Sequence, residues 1–177
     1  LLGTASGNVF RKNIYQPGTA VTNKGFGATS DTAVDCRYNW WATTDSAVIS
    51  AALLAGNPDT YSYLPFRLGT VDTTAGADTI APAAPDTVAA ASDAANLGCT
   101  VTWSLPTVNE EIGSPLADLQ GYRIYRSRTS DTSDWGTPVA DVATTTWYDS
   151  GLDTAAYYYR VTAYDNHAPW ANESWYS

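Results

Sequence analysis

Three stretches in the second half of the chain alternate apolar and polar residues with a period of two. They span residues 99–105, 121–126 and 157–165, with short polar turns between them. Such alternation is typical of antiparallel strands that bury one face. In the third stretch, Arg160 and Thr162 would occupy the solvent face. The predicted core-facing residues of this half are Cys99, Val101, Trp103, Leu105, Tyr122, Ile124, Trp147, Leu152, Tyr157, Tyr159, Val161 and Ala163. The pattern predicts a small β-sandwich with Trp103 at its centre.

The first 70 residues also alternate, but in shorter runs that are separated by asparagines. Residues 7–15 and 32–41 are predicted strands, and a loop with Gly18, Gly25 and Gly27 joins them. Asparagine tolerates the left-handed backbone that sharp corners need. Strand, corner and strand at this interval predict successive turns of a coil.

A short helix is predicted over residues 47–54. Thr44 or Asp45 would cap its start, and Gly56 followed by Pro58 would end it. The last turn of a coil exposes unpaired strand edges and core side chains, which a cap protects from aggregation. The predicted cap consists of Trp40, Trp41, Val48, Ile49 and Leu53.

From about residue 82 to the end, the chain resembles a fibronectin type III domain. The resemblance lies, in order, in residues 81–85, 101–103, 121–126, 149–152, 159–165 and 172–174. It implies an immunoglobulin-like sandwich. The turn after Leu152 is one residue short for this family, so Tyr157, with Tyr158 as the alternative, would close the tyrosine corner. The last strand of the family would only be starting at Ser177.

A second resemblance covers about residues 3–68. The asparagines and aromatics of 8–15, the run 39–45 and the closing 63–66 resemble the final rungs of a right-handed parallel β-helix. The family's usual glycine after the second tryptophan is Ala42 in this chain. Together the two resemblances imply an all-β chain: terminal parallel β-helix rungs with a short capping helix, then a fibronectin type III β-sandwich.

The predicted organisation is therefore a β-helix end at 1–70, an Ala/Thr/Asp/Pro linker at 71–84 and a sandwich at 85–177 whose last strand is incomplete. About two rungs cannot bury their own core, because about three stacked repeats are needed for stability. We therefore expect a longer upstream β-helix or self-association to cover the first rung. The absence of methionine, including at position 1, favours a processed product or a piece of a longer chain.

Composition narrows the classes of partner. The net charge is −9 with a pI near 4.2, and only 15% of residues are charged. This balance argues against nucleic acid, whose affinity rests on Lys and Arg at phosphates. No apolar run approaches the ~20 residues of a membrane span. Richness in Asp, Asn, Thr, Ser and Gly predicts an extracellular or cell-surface location. Cys36 and Cys99 fall in different predicted modules, which favours two buried thiols, with a single bridge as the alternative.

Residues for catalysis are few. His167 is the sole histidine and lies in a predicted exposed loop, without a Ser, Cys or Glu set at motif spacing. β-Helix enzymes that cleave polysaccharides use Asp, Lys or Arg on an exposed strand face, and the candidates here are Lys24, Asp31, Asp35 and Arg37. Terminal rungs carry the cap, so we predict no catalysis within these residues.

Binding residues are more plentiful. Trp135, Trp170 and Trp175 are the tryptophans that are assigned to neither the core nor the cap. Packing of these loop aromatics against the sandwich is the favoured role, and the alternative is a platform, with Trp170 and Trp175 as its main pair, for stacking on glycans. Asp72, Asp78 and Asp86 offer oxygen ligands for Ca²⁺ in or beside the linker, but their spacing matches no fixed loop, which favours solvated linker charges over a calcium site. Asn172 begins an Asn-x-Ser glycosylation sequon. No other cofactor is predicted.

These observations favour a non-catalytic structural or adhesive region of a large secreted surface or filament-forming protein. Exposed edges at both ends favour assembly by stacking or strand addition. Two alternatives stay open: an accessory C-terminal region of a secreted polysaccharide-degrading β-helix enzyme, and a carbohydrate-binding module.

Overall fold

The computed structural model describes residues 8–9, 33–54, 60–70, 72, 74–110, 113–130 and 135–177. Contacts divide the chain into two compact units, Leu1–Val71 and Asp72–Ser177, and each is considered by itself. The predicted glycine loop and the helix-ending Gly56 and Pro58 lie outside the described residues.

The first unit contains a parallel sheet of three short strands. β1 (Asn8–Val9), β2 (Ala33–Asp35) and β3 (Thr60–Ser62) pair in that order. Successive partners are roughly 26 residues apart, since Asn8 faces Val34 and Val34 faces Tyr61. Parallel neighbours need a long crossover, which a connection of this length supplies.

Backbone bonds extend the pairing beyond the ends of β2 and β3. The Cys36 N–H donates to the Ser62 carbonyl at 2.7 Å, and the Tyr38 N–H to the Pro65 carbonyl at 2.8 Å. Asn39 is fully buried, and its side-chain amide donates to the Cys36 carbonyl at 2.7 Å. This asparagine therefore secures a bend of the chain through its side chain.

Helix α1 (Ser46–Leu54) follows, and Asp45 caps it. The Asp45 carboxylate accepts the N–H of Ala47 at 2.9 Å and that of Val48 at 3.4 Å, as an N-cap residue does. Ile49 and Leu53 are buried, but Val48 is 54% exposed, so its assignment to the cap was wrong. Residues four apart share a helix face, and Val48 is rotated away from that face.

The cap tryptophans differ in burial: Trp41 is buried and Trp40 is half-buried. Within the described residues, no helix has the length and apolarity needed to cross a bilayer.

The second unit is built from two antiparallel sheets of three strands each. Its strands are β4 (Asp86–Asp93), β5 (Gly98–Ser104), β6 (Leu119–Ser127), β7 (Ala140–Val142), β8 (Thr146–Asp149) and β9 (Tyr158–Asp165). The sheet orders are β4-β5-β8 and β7-β6-β9.

The inner faces of both sheets meet in one apolar core. The buried members are Cys99, Val101, Trp103, Tyr122, Ile124, Leu152, Val161 and Ala163. Trp103 meets Tyr122 edge to face, with ring centroids 5.3 Å apart. Trp147, Tyr157 and Tyr159 are partly buried and pack against this cluster. The predicted all-β fold with a two-sheet sandwich is confirmed.

Three further predictions have distinct outcomes. Leu105 is 57% exposed, so its core assignment was wrong: β5 ends at Ser104, where the alternation stops. Tyr157 was predicted to close the tyrosine corner, and its hydroxyl donates to the Asp153 carboxylate at 3.0 Å. Tyr158, the alternative residue for this corner, is exposed. Cys36 and Cys99 are buried and form no disulfide with each other.

Thr162 was predicted on the solvent face, but it is fully buried. The reason is that residues 172–177, here termed the C-terminal segment, run antiparallel along the outer edge of β9. The Ser174 N–H donates to the Ala163 carbonyl at 2.8 Å, and the Ser177 N–H donates to the Val161 carbonyl at 3.0 Å. The segment covers β9 from Asp165 back to Val161.

Candidate functional site

A buried carboxylate ties the C-terminal segment to the sandwich. Glu173 accepts the hydroxyls of Tyr125 and Thr162, each at 2.6 Å, and forms a close ion pair with Arg123. Burial, followed by the charge of Glu173 and its hydrogen bond, raises the pKa of Tyr125. Both Glu173 oxygens are thus held by donors of the fold, which makes Glu173 a tie between strands.

A second buried carboxylate stands at the other end of β9. Asp149, at the end of β8, accepts Arg126 at 2.9 and 3.0 Å and the Tyr159 hydroxyl at 2.8 Å. Burial is the largest cause that raises the pKa of Tyr159, and the hydrogen bond to Asp149 adds to it. Neither buried carboxylate resembles a poised general acid or base, because each is held by at least two donors.

Three aspartates converge, but they are not the three that the linker suggested. Carboxylate oxygens of Asp78, Asp118 and Asp165 lie within 4.8 Å of one another, while Asp72 and Asp86 lie outside this cluster. Burial, and then the charges of Asp165 and Asp78, raise the pKa of Asp118. The convergence of Asp118 and Asp165 with Asp78 is long-range in sequence, so local spacing could not show it.

Asp165, the buried member of this cluster, is already served by protein donors. Its Oδ1 accepts the N–H of His167 at 3.1 Å and that of Asn172 at 2.7 Å, and its Oδ2 accepts the Asn172 side-chain amide at 2.7 Å. This explains within the protein how a buried carboxylate is stabilised.

The hydrogen bonds of the Asn172 side-chain amide also determine whether the glycosylation sequon is accessible. Asn172 is 5% exposed, and its Nδ2 also donates to the Asp78 carbonyl at 3.1 Å. Glycosylation needs an accessible amide nitrogen, so the folded protein does not present Asn172 as an acceptor. The tripeptide motif contains no information on burial.

His167 was predicted as an exposed loop residue, and this was wrong. It is half-buried, and its Nε2 lies 3.1 Å from a carboxylate oxygen of Asp72. The backbone N–H of Thr74, first among the causes, lowers the pKa of Asp72, and His167 contributes in the same direction. The pair joins the start of the second unit to the loop after β9, which no sequence spacing indicates.

The three candidate tryptophans do not form one platform. Trp170 is 51% exposed, whereas Trp135 is 6% exposed beneath the Arg160 guanidinium, 5.0 Å from the ring. Trp175 is half-buried and packs on Tyr176 at 5.2 Å. Trp135 is therefore unavailable for a ligand, because a long-range cation–π contact covers it. Of the predicted platform, Trp170 is the well-exposed ring.

The structure describes little of the four residues that were named as catalytic candidates. Lys24 and Asp31 fall outside the described residues, and for Asp35 only the backbone, in β2, is described. Arg37 is half-buried beyond the end of β2.

Two open pockets lie beside Tyr159, which borders both. The first, of about 410 Å³, is also bordered by Ala90, Ser92, Cys99 and Leu152. The second, of about 460 Å³, is also bordered by Val88, Tyr176 and Ser177.

Comparison with known proteins adds little to this geometry. No family model matches the chain. No curated protein matches it either. Among solved structures, it is similar to an Fn3-like protein from Clostridium thermocellum, with 24% identity over 52% of this chain and 88% of that chain and a TM-score of 0.38. The fold described above rests on the strand pairings of this chain itself.

Proposed function

We propose that the chain is a non-catalytic structural region of an extracellular surface or filament protein. In this proposal the end of a right-handed parallel β-helix is followed by a fibronectin type III-like domain. The observation that carries it is the parallel order β1-β2-β3, with successive partners roughly 26 residues apart. Evenly stacked parallel strands in chain order are the hallmark of a solenoid.

Two further observations support a structural role. Helix α1 lies in the connection between β2 and β3 and buries Ile49 and Leu53. In the sandwich, the two buried carboxylates of Glu173 and Asp149 are engaged by donors from neighbouring strands. Such ties rigidify a spacer, and they leave no reactive group exposed at either place.

The test is the assembly state of the chain. We expect light scattering after size exclusion to show mass rising with concentration, and electron microscopy to show stacked or fibrous particles. Such assembly would follow from strand pairing between copies at an edge of the parallel sheet. A monomer at every concentration would remove self-association from the proposal. Release of reducing ends from a panel of polysaccharides would replace the structural role by the enzyme alternative.

A second candidate function rests on Trp170. Its ring is 51% exposed and stands beside Pro169, and exposed aromatic faces stack on the C–H faces of sugars. If the chain binds carbohydrate, Trp170→Ala abolishes binding on a glycan array, and Tyr158→Ala, at an exposed tyrosine of β9, preserves it. Equal binding by both variants would discard this candidate.

A further inference from the structure

Residues 72–81, which lie in the predicted linker, are attached to the sandwich, and we term them the strap. They belong to the second unit and lie outside its strands. The strap is buried at its two ends, because Asp72 is 8% exposed and Ala81 is fully buried. Residues 74–76, between these ends, are exposed. The strap therefore has an exposed middle between two fixed ends.

A single side-chain pair holds the start of the strap. The Nε2 atom of His167 lies 3.1 Å from a carboxylate oxygen of Asp72, and the two residues are 95 positions apart in the chain. The other carboxylate oxygen of Asp72 accepts the N–H of Thr74 at 2.8 Å, so that bond stays within the strap. The contact with His167 therefore fixes this end to the loop after β9.

The middle of the strap is held by a hydrogen bond and opposed by charge. The Asn172 side-chain amide donates to the Asp78 carbonyl at 3.1 Å. A carboxylate oxygen of Asp78 lies within 4.8 Å of one from Asp118 and one from Asp165. Within the described part of the chain, no Lys or Arg forms an ion pair with these three aspartates. Like charges at this separation repel each other, so the attachment at Asp78 is weakened.

Backbone hydrogen bonds hold the end of the strap. The Ala81 carbonyl accepts the N–H of Glu110 at 2.9 Å, and the N–H of Ala83 donates to the Val108 carbonyl at 3.0 Å. Strand β4 and its pairing with β5 follow directly. Detachment that begins at the start of the strap therefore stops at Ala81, before the paired strands.

We propose that the strap is a detachable segment that lengthens the link into the sandwich under tension. The chain enters the second unit at Asp72, so a pull on the link acts first on the pair of Asp72 and His167. The contacts of the strap follow one another along the chain, and each bears the full load in turn. Release of the nine residues 72–80 adds at most about 30 Å of extended chain. This inference rests on the proposed structural role, to which it adds an extensible link.

Native-state proteolysis of the full chain at pH 7 measures how often the strap opens. Subtilisin cuts extended segments of many sequences, and mass spectrometry identifies the cuts within residues 74–80. When opening and closing are fast, the cutting rate follows the population of the open form. His167→Ala is expected to raise this rate at least about fivefold, because it removes the contact that holds Asp72. Asn166→Ala, at the exposed neighbouring residue, is the matched control and should change the rate less than about twofold.

Two further variants test the contacts themselves. In an Asp72→Ala background, His167→Ala should have no further effect, because the two side chains form one contact. Asp118→Asn removes a like charge beside Asp78, so the cutting rate within the strap should fall at least about threefold. A variant that merely destabilises the sandwich also raises the cutting rate within β4 to β9, which the same spectra measure. If His167→Ala does so, Asp72→Ala is used in its place.

Optical tweezers that hold the full chain by its two ends measure the added length. We expect a reversible step of at most about 30 Å at a force below that which unfolds either unit. His167→Ala should lower the force of this step, and Asn166→Ala should leave it unchanged.

The proposal would be overturned by an unchanged cutting rate in His167→Ala, by an equal rise in Asn166→Ala, or by faster cutting in Asp118→Asn. The absence of a step of the stated size would also overturn it. The proposed function fails by other readouts, namely polysaccharide cleavage or a monomer at every concentration, and neither depends on the strap. The two failures are therefore distinguishable.

Discussion

The hydroxyl of Tyr125 donates to the carboxylate of Glu173 at 2.6 Å and joins β6 to the C-terminal segment across 48 positions of the chain. Together with Arg123 and Thr162, this bond holds the segment in its place along β9. The segment owes its position to a buried polar group, so its attachment is sensitive to the loss of a single oxygen.

We expect Tyr125→Phe to lower the free energy of unfolding by about 1–3 kcal/mol, because it removes one donor from a buried carboxylate. Tyr122→Phe is the control. The Tyr122 hydroxyl is also buried, but it has no partner among the described residues. Its removal should be neutral or stabilise by up to about 1 kcal/mol. Urea unfolding of both variants measures the difference, and equal destabilisation would contradict the assigned bond.

Asp118→Asn is expected to raise the melting temperature at pH 7 by about 2–5 °C. Burial and the charges of Asp165 and Asp78 raise the pKa of Asp118, so its ionised form opposes folding. This opposition is absent below the unfolded pKa, about 3.9, grows as pH rises above that value, and is complete once pH exceeds the folded pKa. The two melting curves should therefore converge as pH falls below about 4.

The lowered pKa values of Asp93 and Asp153 act with the opposite sign, since their contribution to stability is lost as pH falls. They are common to Asp118→Asn and the unmutated chain, and they cancel in the comparison. A lower melting temperature of Asp118→Asn at pH 7 would show that this carboxylate stabilises the fold. A rise with added Ca²⁺ in the unmutated chain alone would show that a cation holds the cluster.

Ala42→Gly is expected to stabilise the first unit by about 1 kcal/mol. Ala42 has φ of 59°, in the left-handed region where a Cβ clashes with the backbone. Ala47→Gly is the matched control. Residue 47 lies in the first turn of α1, where glycine is expected to lower the free energy of unfolding by about 0.5–1 kcal/mol. Differential scanning calorimetry measures both variants. Destabilisation by both would mean that Ala42 relaxes to another conformation in solution.

Gly121→Ala is expected to destabilise the sandwich by about 1–3 kcal/mol. A Cβ on Gly121 would lie 2.9 Å from the Val142 backbone oxygen and 2.9 Å from the Tyr164 hydroxyl. The carbonyl belongs to the β6–β7 pairing and cannot move without cost. Gly69→Ala is the control, since no heavy atom lies within 4 Å of its added Cβ. Chemical denaturation should show a lower free energy of unfolding for Gly121→Ala than for Gly69→Ala. A Gly121→Ala variant as stable as the unmutated chain would disprove the close approach.

Local pattern identified β5, β6 and β9 of the sandwich and most of its core. Alternation identified Trp103, Ile124 and Val161 as core residues because a strand places every second side chain on one face. It failed at Leu105, one residue after β5 ends, because periodicity does not locate the end of a strand. The left-handed backbone at Ala42 falls where the β-helix resemblance places a glycine.

The burial of several polar residues was decided by tertiary structure alone. Thr162 and His167 were expected at the surface, but Thr162 is buried and His167 is half-buried. Each is covered by a group distant in the chain, such as Asp72 beside His167. A polar side chain can be buried when a partner replaces water, and whether that partner arrives depends on how the strands stack. Periodicity along the chain reports which face a residue occupies, but it does not report what another part of the chain places on that face.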